Sequence, residues 1–208
     1  MDVFEAIQTT RAMRRLDPDR EVSDQDLLAI VEAATKSATG GNRQPTRWLV
    51  VRDAEKRRRL GELYRECAEE ALKMYEDEAR TNPVTARNLK SYWHLADHMG
   101  EAPAIIVACA AGQRGRVEAS VFPGVQNLML AARGLGLGTT LTTIHRCNED
   151  KVKALLGIPD EVHTFCLIPV GHPLGRWGEA PRKPVRELAY WDAWGNPPPM
   201  RSGGSPGA

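Results

Sequence analysis

Three arginines fall within five positions in Thr10-Arg11-Ala12-Met13-Arg14-Arg15. A guanidinium presents a planar fork of donors that matches phosphate oxygens two at a time. The cluster could therefore cradle a phosphate, or form a plain solvated face. A second stretch, Ala38-Thr39-Gly40-Gly41-Asn42-Arg43-Gln44-Pro45, combines two glycines, which let a backbone approach a flat ligand closely, with Asn42 and Gln44, whose amides both donate and accept. It also reads as an ordinary loop between a helix and a strand. A third, Gly138-Thr139-Thr140-Leu141-Thr142-Thr143, is rich in hydroxyls, and threonine also favours strands by itself. The fourth is the basic turn Pro181-Arg182-Lys183-Pro184.

Other patterns point away from common chemistries. Gly134-Leu135-Gly136-Leu137-Gly138 resembles a dinucleotide loop, but such a loop follows a strand and opens a helix. Here it follows a helical pattern and opens a strand, which reads as a helix C-cap. No Walker A sequence and no G-x-S-x-G is present, and no acid/base triad stands out. His94 and His98 lie one helical turn apart, without the Glu of H-E-x-x-H or a third ligand, so no metal is expected. The four cysteines, Cys67, Cys109, Cys147 and Cys166, form no C-x-x-C and have apolar neighbours. They read as reduced core residues.

These features must be positioned by a mixed set of elements. Residues 2–9 suit a short helix. Ser23 caps the next, with Asp26 completing an S-x-x-D box before the stripe Leu27, Leu28, Val31, Ala34. Trp48–Val51 reads as a strand. Residues 54–80 read as one charged helix with Leu60, Leu63, Tyr64 and Cys67 on its inner face. Asn82-Pro83 breaks it, and another helix runs to about His98. The apolar run 103–110 suits a strand covered on both faces. Val121, Val125, Leu128, Ala132 and Leu135 mark a buried helix, with Pro123 expected near its first turn. Residues 138–144 and 162–170 read as strands, with Asn148 capping a helix between them. The aperiodic stretch 172–195 holds three of the five tryptophans and reads as an arm laid across something else. Residues 196–208 are low in complexity and read as a disordered tail.

Composition sets the bounds. The chain has 208 residues, enough for one domain over 1–195, with 28 Lys+Arg against 27 Asp+Glu and a net charge of +1. Bulk charge therefore offers no grip on nucleic acid. No apolar run reaches membrane-spanning length, and the first residues lack a signal-peptide core. The expected location is the cytoplasm, with no nucleic-acid or membrane partner.

The order and spacing of the four stretches resemble the FMN-dependent nitroreductase family. Its members show R-R-S-x-R, P-S-x-x-N-x-Q-P-W, Q-N-L-x-L-A-A-x-x-x-G-L-G, L-G-I-P, G-Y-P and a late basic residue before Pro. Here these stand as Thr10–Arg14, Ala38–Thr46, Gln126–Gly138, Leu156–Pro159, Gly171-His172-Pro173 and Arg182-Lys183-Pro184. Thr10 and Ala12 remove one charge and one hydroxyl from the first motif. Thr46 and His172 replace two aromatics.

The resemblance implies an α+β fold, a mixed sheet wrapped by helices, in an intertwined homodimer whose C-terminal arm crosses onto the partner. It implies FMN at the dimer interface and NADH or NADPH as donor. A small-molecule acceptor, such as a nitroaromatic or quinone, would be served in a ping-pong cycle. Catalysis would reside on FMN, with no catalytic side chain. Implied cofactor contacts are Arg11 and Arg182 with Lys183 toward the phosphate, with Ala12 and Met13 beside them. Arg14 would lie toward the N1–C2=O side of the ring. Ala38, Thr39, Gly40 and Asn42 would come from the other subunit, Gln44 would be a further cofactor contact, and Leu141, Thr142 and Thr143 would lie along the ring near N5. Tyr75, Tyr92 and Trp93 are candidates for lining the substrate opening. Two alternatives stay open: a flavin-sequestering protein of the same fold, and a deiodinase-like reductase.

Overall fold

The computed structural model describes residues 1–199. It divides into a body, Met1–Gly178, and a C-terminal segment from Glu179. The tail expected to be disordered falls outside the described residues from position 200 onward.

The body is built on four strands, β1 (Thr46–Val51), β2 (Ala104–Ala111), β3 (Gly138–Thr139) and β4 (Val162–Gly171). Their order is β1-β2-β4-β3, with every neighbour antiparallel. A parallel bridge between Ala12 and Thr139 extends the sheet beyond β3, so the pairing is mixed at that edge. Seven helices surround the sheet: α1 (Val3–Thr9), α2 (Asp24–Thr35), α3 (Ala54–Ala71), α4 (Glu76–Ala79), α5 (Pro83–His98), α6 (Arg114–Gly134) and α7 (Glu149–Leu156).

The central strand explains the layering. Successive side chains of a strand point to opposite faces. Ile106, Ala108 and Ala110 meet α2 and α6 through Ile30, Ala34, Val121, Val125 and Leu128. Ile105, Val107 and Cys109 meet α3 and the end of α5 through Leu60, Leu63, Tyr64 and Met99. Both faces are covered, so β2 has no polar side. This makes the fold α+β, with helices on both faces of an antiparallel sheet.

Local signals hold at several points. The Asp26 N–H donates to Ser23 Oγ at 3.0 Å. Helix α6 ends with Gly136 at φ 76° and the Leu137 N–H returning to the Ala132 carbonyl at 2.8 Å, a glycine C-cap. Other expectations are corrected. The helix expected over 54–80 stops at Ala71, and a 3-10 turn at Lys73–Tyr75 precedes α4. Pro123 sits inside α6, nine residues past its first residue. Next to it, an ideal Cβ on Gly124 would lie 2.9 Å from both the Ala34 carbonyl and the Trp48 ring, so close packing there excludes a side chain. The strand expected over 138–144 shortens to Gly138–Thr139, and a 3-10 turn occupies Ile144–Asn148. Asn148 stands at the N-cap of α7 without capping it. Its Nδ2 donates instead to the Leu63 carbonyl at 3.0 Å and to Glu66 at 2.9 Å, both on α3. The cysteines are not all reduced, because Cys67 and Cys147 form a disulfide. Their separation in sequence, 80 residues, hid the pairing. Cys109 and Cys166 are free and buried, as expected.

In the C-terminal segment, Val185–Glu187 forms a 3-10 turn. The rings of Tyr190 and Trp194 lie 4.7 Å apart. The Trp191 N–H donates to the Asn196 carbonyl at 2.9 Å.

A backbone crossing over the edge of the sheet carries the first arginine motif. Residues 12–17 lie over the paired glycines Gly138 and Gly171. The Met13 N–H donates to the Thr139 carbonyl, the Asp17 N–H to the His172 carbonyl, and the Leu174 N–H to the Arg15 carbonyl. An ideal Cβ on Gly138 would sit 2.9 Å from Met13 Cβ and 3.0 Å from Leu16 and Pro173. We therefore expect Gly138→Ala to cost about 1–3 kcal/mol by overpacking. A thermal melt should then fall by roughly 2–12 °C at the usual sensitivity for this size; an unchanged melt would show that the crossing yields freely.

Candidate active site

The crossing delivers Arg14 to the side of the sheet covered by α3 and α5. Arg14 is half-buried, and its guanidinium stacks 4.7 Å above the Tyr92 ring of α5. Burial lowers its pKa, partly opposed by Tyr92 and Tyr64. A partly desolvated cation stacked on an aromatic ring is suited to an anionic or electron-rich ligand.

Arg14 shares a cavity of about 110 Å³ with Tyr64, Tyr75, Tyr92, Leu141 and Thr142. The rings of Tyr75 and Tyr92 are 5.9 Å apart. Tyr64, 2% exposed, places its hydroxyl 3.0 Å from Thr142 Oγ1. Burial raises its pKa, partly offset by Thr142 and Arg14. The two arms of Leu141–Thr143 are held differently. Thr142 exchanges backbone hydrogen bonds with Leu167 of β4 at 3.0 and 2.9 Å, while Thr143, half-buried, leads into the 3-10 turn.

That turn is anchored from below by His145, which is fully buried. The Glu149 carboxylate accepts from the Thr164 N–H at 2.6 Å and its hydroxyl at 2.9 Å, and from Arg114 at 2.5 Å. The Thr164 hydroxyl proton is thus committed to Glu149, so the 3.0 Å contact to His145 Nε2 is donated by the imidazole. His145 Nδ1 is then unprotonated, and it is the buried side-chain atom without a partner among the described residues. Burial depresses His145 to about 4, against the pull of Glu149. Burial acts to raise Glu149, but the Thr164 N–H, Arg114 and the Thr164 hydroxyl together hold it below its ordinary value.

The structure brings only some of the sequence-derived residues together. Arg14, Leu141 and Thr142 converge on the cavity, whereas Met13 is buried against Gly138 and does not line it. Arg11 and Ala12 are exposed on the strand-like segment leading in. The stretch Ala38–Gln44 is not among the residues lining the cavity. It packs on α6, where the Gly40 N–H donates to Ser120 Oγ at 3.1 Å. Asn42 and Gln44 adopt φ of 52° and 49°, a conformation uncommon outside glycine. The Thr39 hydroxyl accepts from the Gln44 N–H at 3.1 Å, and Gln44 Nε2 donates to Asn42 Oδ1 at 3.2 Å. These bonds hold the loop in shape while leaving it largely exposed. Arg182 and Lys183 are exposed within the C-terminal segment.

Tyr75 and Tyr92 line the cavity, whereas Trp93 lies under the Arg65 guanidinium at 4.7 Å. Sequence reading placed Tyr64 only on the inner face of a helix. Its hydroxyl was the available signal, since a buried tyrosine O–H needs a partner, but the partner lies 78 residues away. His94 and His98 stack at 4.4 Å, and among the described residues no group of three potential ligands could hold a metal.

Residues 7–172 match the nitroreductase family, and the chain belongs to it. An Archaeoglobus fulgidus protein provisionally named NADH dehydrogenase/NAD(P)H nitroreductase is 27% identical over 79% of this chain and 82% of its own length. The iodotyrosine deiodinase of Thermotoga neapolitana is 26% identical over 88% and 94%. A crystal structure from Desulfovibrio desulfuricans, a provisionally named nitroreductase in complex with FMN, superposes with a TM-score of 0.69 at 25% identity, covering 93% and 98% of the two chains. Among the described residues no helix is long and apolar enough to cross a membrane.

The His145 cluster gives a pH signature. A buried imidazole kept neutral stabilises the fold above its unfolded pKa near 6.5 and loses that contribution as pH falls toward about 4. The full loss is about 3 kcal/mol. Glu149 adds a further loss only below its ordinary 4.5. Thermal melts should therefore decline between pH 6.5 and 4. His145→Gln should flatten that slope; a slope identical to wild type would place the titrating group elsewhere.

Proposed function

We propose that this protein is an FMN-dependent oxidoreductase. It would take a hydride from NADH or NADPH and pass electrons, in a ping-pong cycle, to a small oxidised acceptor such as a nitroaromatic or quinone. The observation that carries the reading is the half-buried Arg14 guanidinium facing the same cavity as Thr142 and three tyrosines, on a nitroreductase-family chain. A cation, a hydroxyl and aromatic walls suit a planar heterocycle with an electron-rich edge.

When bound, FMN supplies the hydride chemistry itself, and the protein supplies position, electrostatics and a face for donor and acceptor in turn. Arg14 would lie toward the N1–C2=O edge, where a partly desolvated cation favours the negative charge that builds on reduction. Leu141–Thr143 would run along the ring, held by Tyr64 and Leu167. Arg11 and Arg182, with Lys183, would take the phosphate, and Ala12 and Met13 would set the backbone beside it.

A homodimer is part of this reading. A cavity of about 110 Å³ is smaller than the 300–1,000 Å³ usual for small-molecule sites. The remaining walls would come from a second copy, including Ala38, Thr39, Gly40, Asn42 and Gln44, with the C-terminal arm crossing over. The cytoplasm is the proposed location.

The test is the visible spectrum of the purified protein with FMN, taken anaerobically before and after NADH and then NADPH. Bleached flavin bands that return on adding a quinone or nitroaromatic are expected. Bands that persist with both donors would favour flavin sequestration. Because a deiodinase is among the relatives, reoxidation by an iodinated phenol but not by quinones would shift the reading to reductive dehalogenation. Arg11→Ala should weaken FMN binding by on the order of 1.5–3 kcal/mol, about tenfold to 150-fold. An unchanged affinity by fluorescence titration would remove Arg11 from the phosphate site.

A further inference from the structure

The four cysteines divide into two pairs of different character. Cys109 and Cys166 are buried, and burial pushes each up to about 12. They are inert at neutral pH. Cys67 and Cys147 are bonded to each other, with Cα atoms 5.9 Å apart. Cys67 is 2% exposed on the inner face of α3, one turn beyond Tyr64. Cys147 is exposed, in the turn Ile144–Asn148 that follows Leu141–Thr143 directly.

The bond thus spans the same seam as several non-covalent ties. Among them are Tyr64 to Thr142 at 3.0 Å, Asn148 to the Leu63 carbonyl at 3.0 Å and to Glu66 at 2.9 Å, and Lys151 to Glu66 at 2.9 Å. On its other side the turn is tied to the sheet by Thr142–Leu167 and His145–Thr164. The disulfide is the one covalent tie among them, and one of its sulfurs belongs to an exposed residue. Exposed disulfides next to a functional segment are the labile ones, whereas fully buried ones resist exchange.

We propose that Cys67–Cys147 is a thiol–disulfide exchange site, opened by a dithiol reductant, whose state sets how firmly residues 142–148 are held and, through them, how well the flavin-facing segment binds its cofactor. The second clause rests on the FMN reading above; the first does not. A thiolate of the reductant attacks the Cys147 sulfur, and the S–S bond breaks with its electron pair leaving on Cys67, which takes a proton. The second thiol of the reductant then closes a disulfide within the reductant and releases the Cys147 thiolate, which takes the other proton. Two electrons and two protons pass to the protein, and the reductant leaves oxidised. Opening leaves only the non-covalent ties, Tyr64–Thr142, Asn148 to Leu63 and Glu66, and Lys151–Glu66, to hold the seam.

Linkage fixes the reciprocal effect. If the disulfide form binds FMN tenfold more tightly than the dithiol form, saturating FMN lowers the midpoint potential of the cysteine pair by about 30 mV.

The experiment uses the full chain purified in air, with dithiothreitol as the dithiol. Thiol titration in denaturant should count the two free cysteines before reduction and all four afterwards. Hydrogen exchange should then rise on reduction within 142–148 but not across β2 and β4, and the FMN dissociation constant should rise about fivefold or more. Cys147→Ser should show the reduced values with or without dithiothreitol. Should that variant fail to fold, the reduced wild type carries the same comparison. Four thiols titrating in the air-purified protein would overturn the proposal. So would a lower melting temperature with exchange at 142–148 and FMN affinity unchanged, or exchange rising evenly over the whole body, since both describe a passive staple. If 142–148 loosens on reduction but neither form binds FMN, the exchange site stands and the flavin reading fails.

Discussion

The site depends on a steric allowance: two glycines, paired across β3 and β4, leave a trough that a passing backbone can fill. Gly138 and Gly171 face each other in register, and any Cβ on either would meet atoms of residues 13 and 16 or of the prolines beside them within about 3 Å. Because the trough is empty of side chains, Ala12–Asp17 can lie down in it and exchange backbone hydrogen bonds with Thr139 and with 172–174. Met13 then points inward and is buried, and its neighbour Arg14 emerges toward α5. The crossing decides where a charge goes, although neither glycine touches that charge.

The other half of the site is a seam rather than a trough. Helix α3 offers Leu63, Tyr64, Glu66 and Cys67 to one short stretch, Thr142–Lys151, through hydrogen bonds, an ion pair and a disulfide. The stretch is a 3-10 turn running into the start of α7 rather than a strand, so these ties substitute for the ladder that a longer β3 would have supplied. The buried cluster of His145, Thr164, Glu149 and Arg114 serves the same turn from the sheet side. Its carboxylate and hydroxyl oxygens are all hydrogen-bonded, one imidazole nitrogen is left bare, and burial keeps that histidine neutral.

Several of these features were readable in the chain. The helix starting after Ser23, the doubly covered strand near Ile105 and the glycine cap at Gly136 each follow from local spacing and residue chemistry. The family motifs share that local character, so the match over residues 7–172 agrees with the sequence reading. Expectations went astray where distant partners overrode local preference. Thr-rich 138–144 suits a strand, yet only Gly138 and Thr139 form one and Thr142 adds a single bridge to Leu167, because 144–148 must turn under α3. Asn148 has the form of a helix cap, yet its amide is taken by the Leu63 carbonyl. Cys67 and Cys147 each sit among neighbours that suit core packing, and nothing within 80 residues links them. Tyr64 carries a hydroxyl on a buried helix face, and only its spatial neighbour Thr142 explains how that is tolerated.

The sequence by itself determined the class of protein and the set of residues available to its site, because capping, alternation and glycine punctuation are short-range effects written in adjacent residues. Only the tertiary structure decided which of those residues meet. Arg14, Thr142 and the three tyrosines come from segments up to about 130 residues apart. What joins them is the close approach of backbones at Gly138 and Gly171 and the packing of α3 on the turn at 144–148, contacts that depend on the whole chain folding at once.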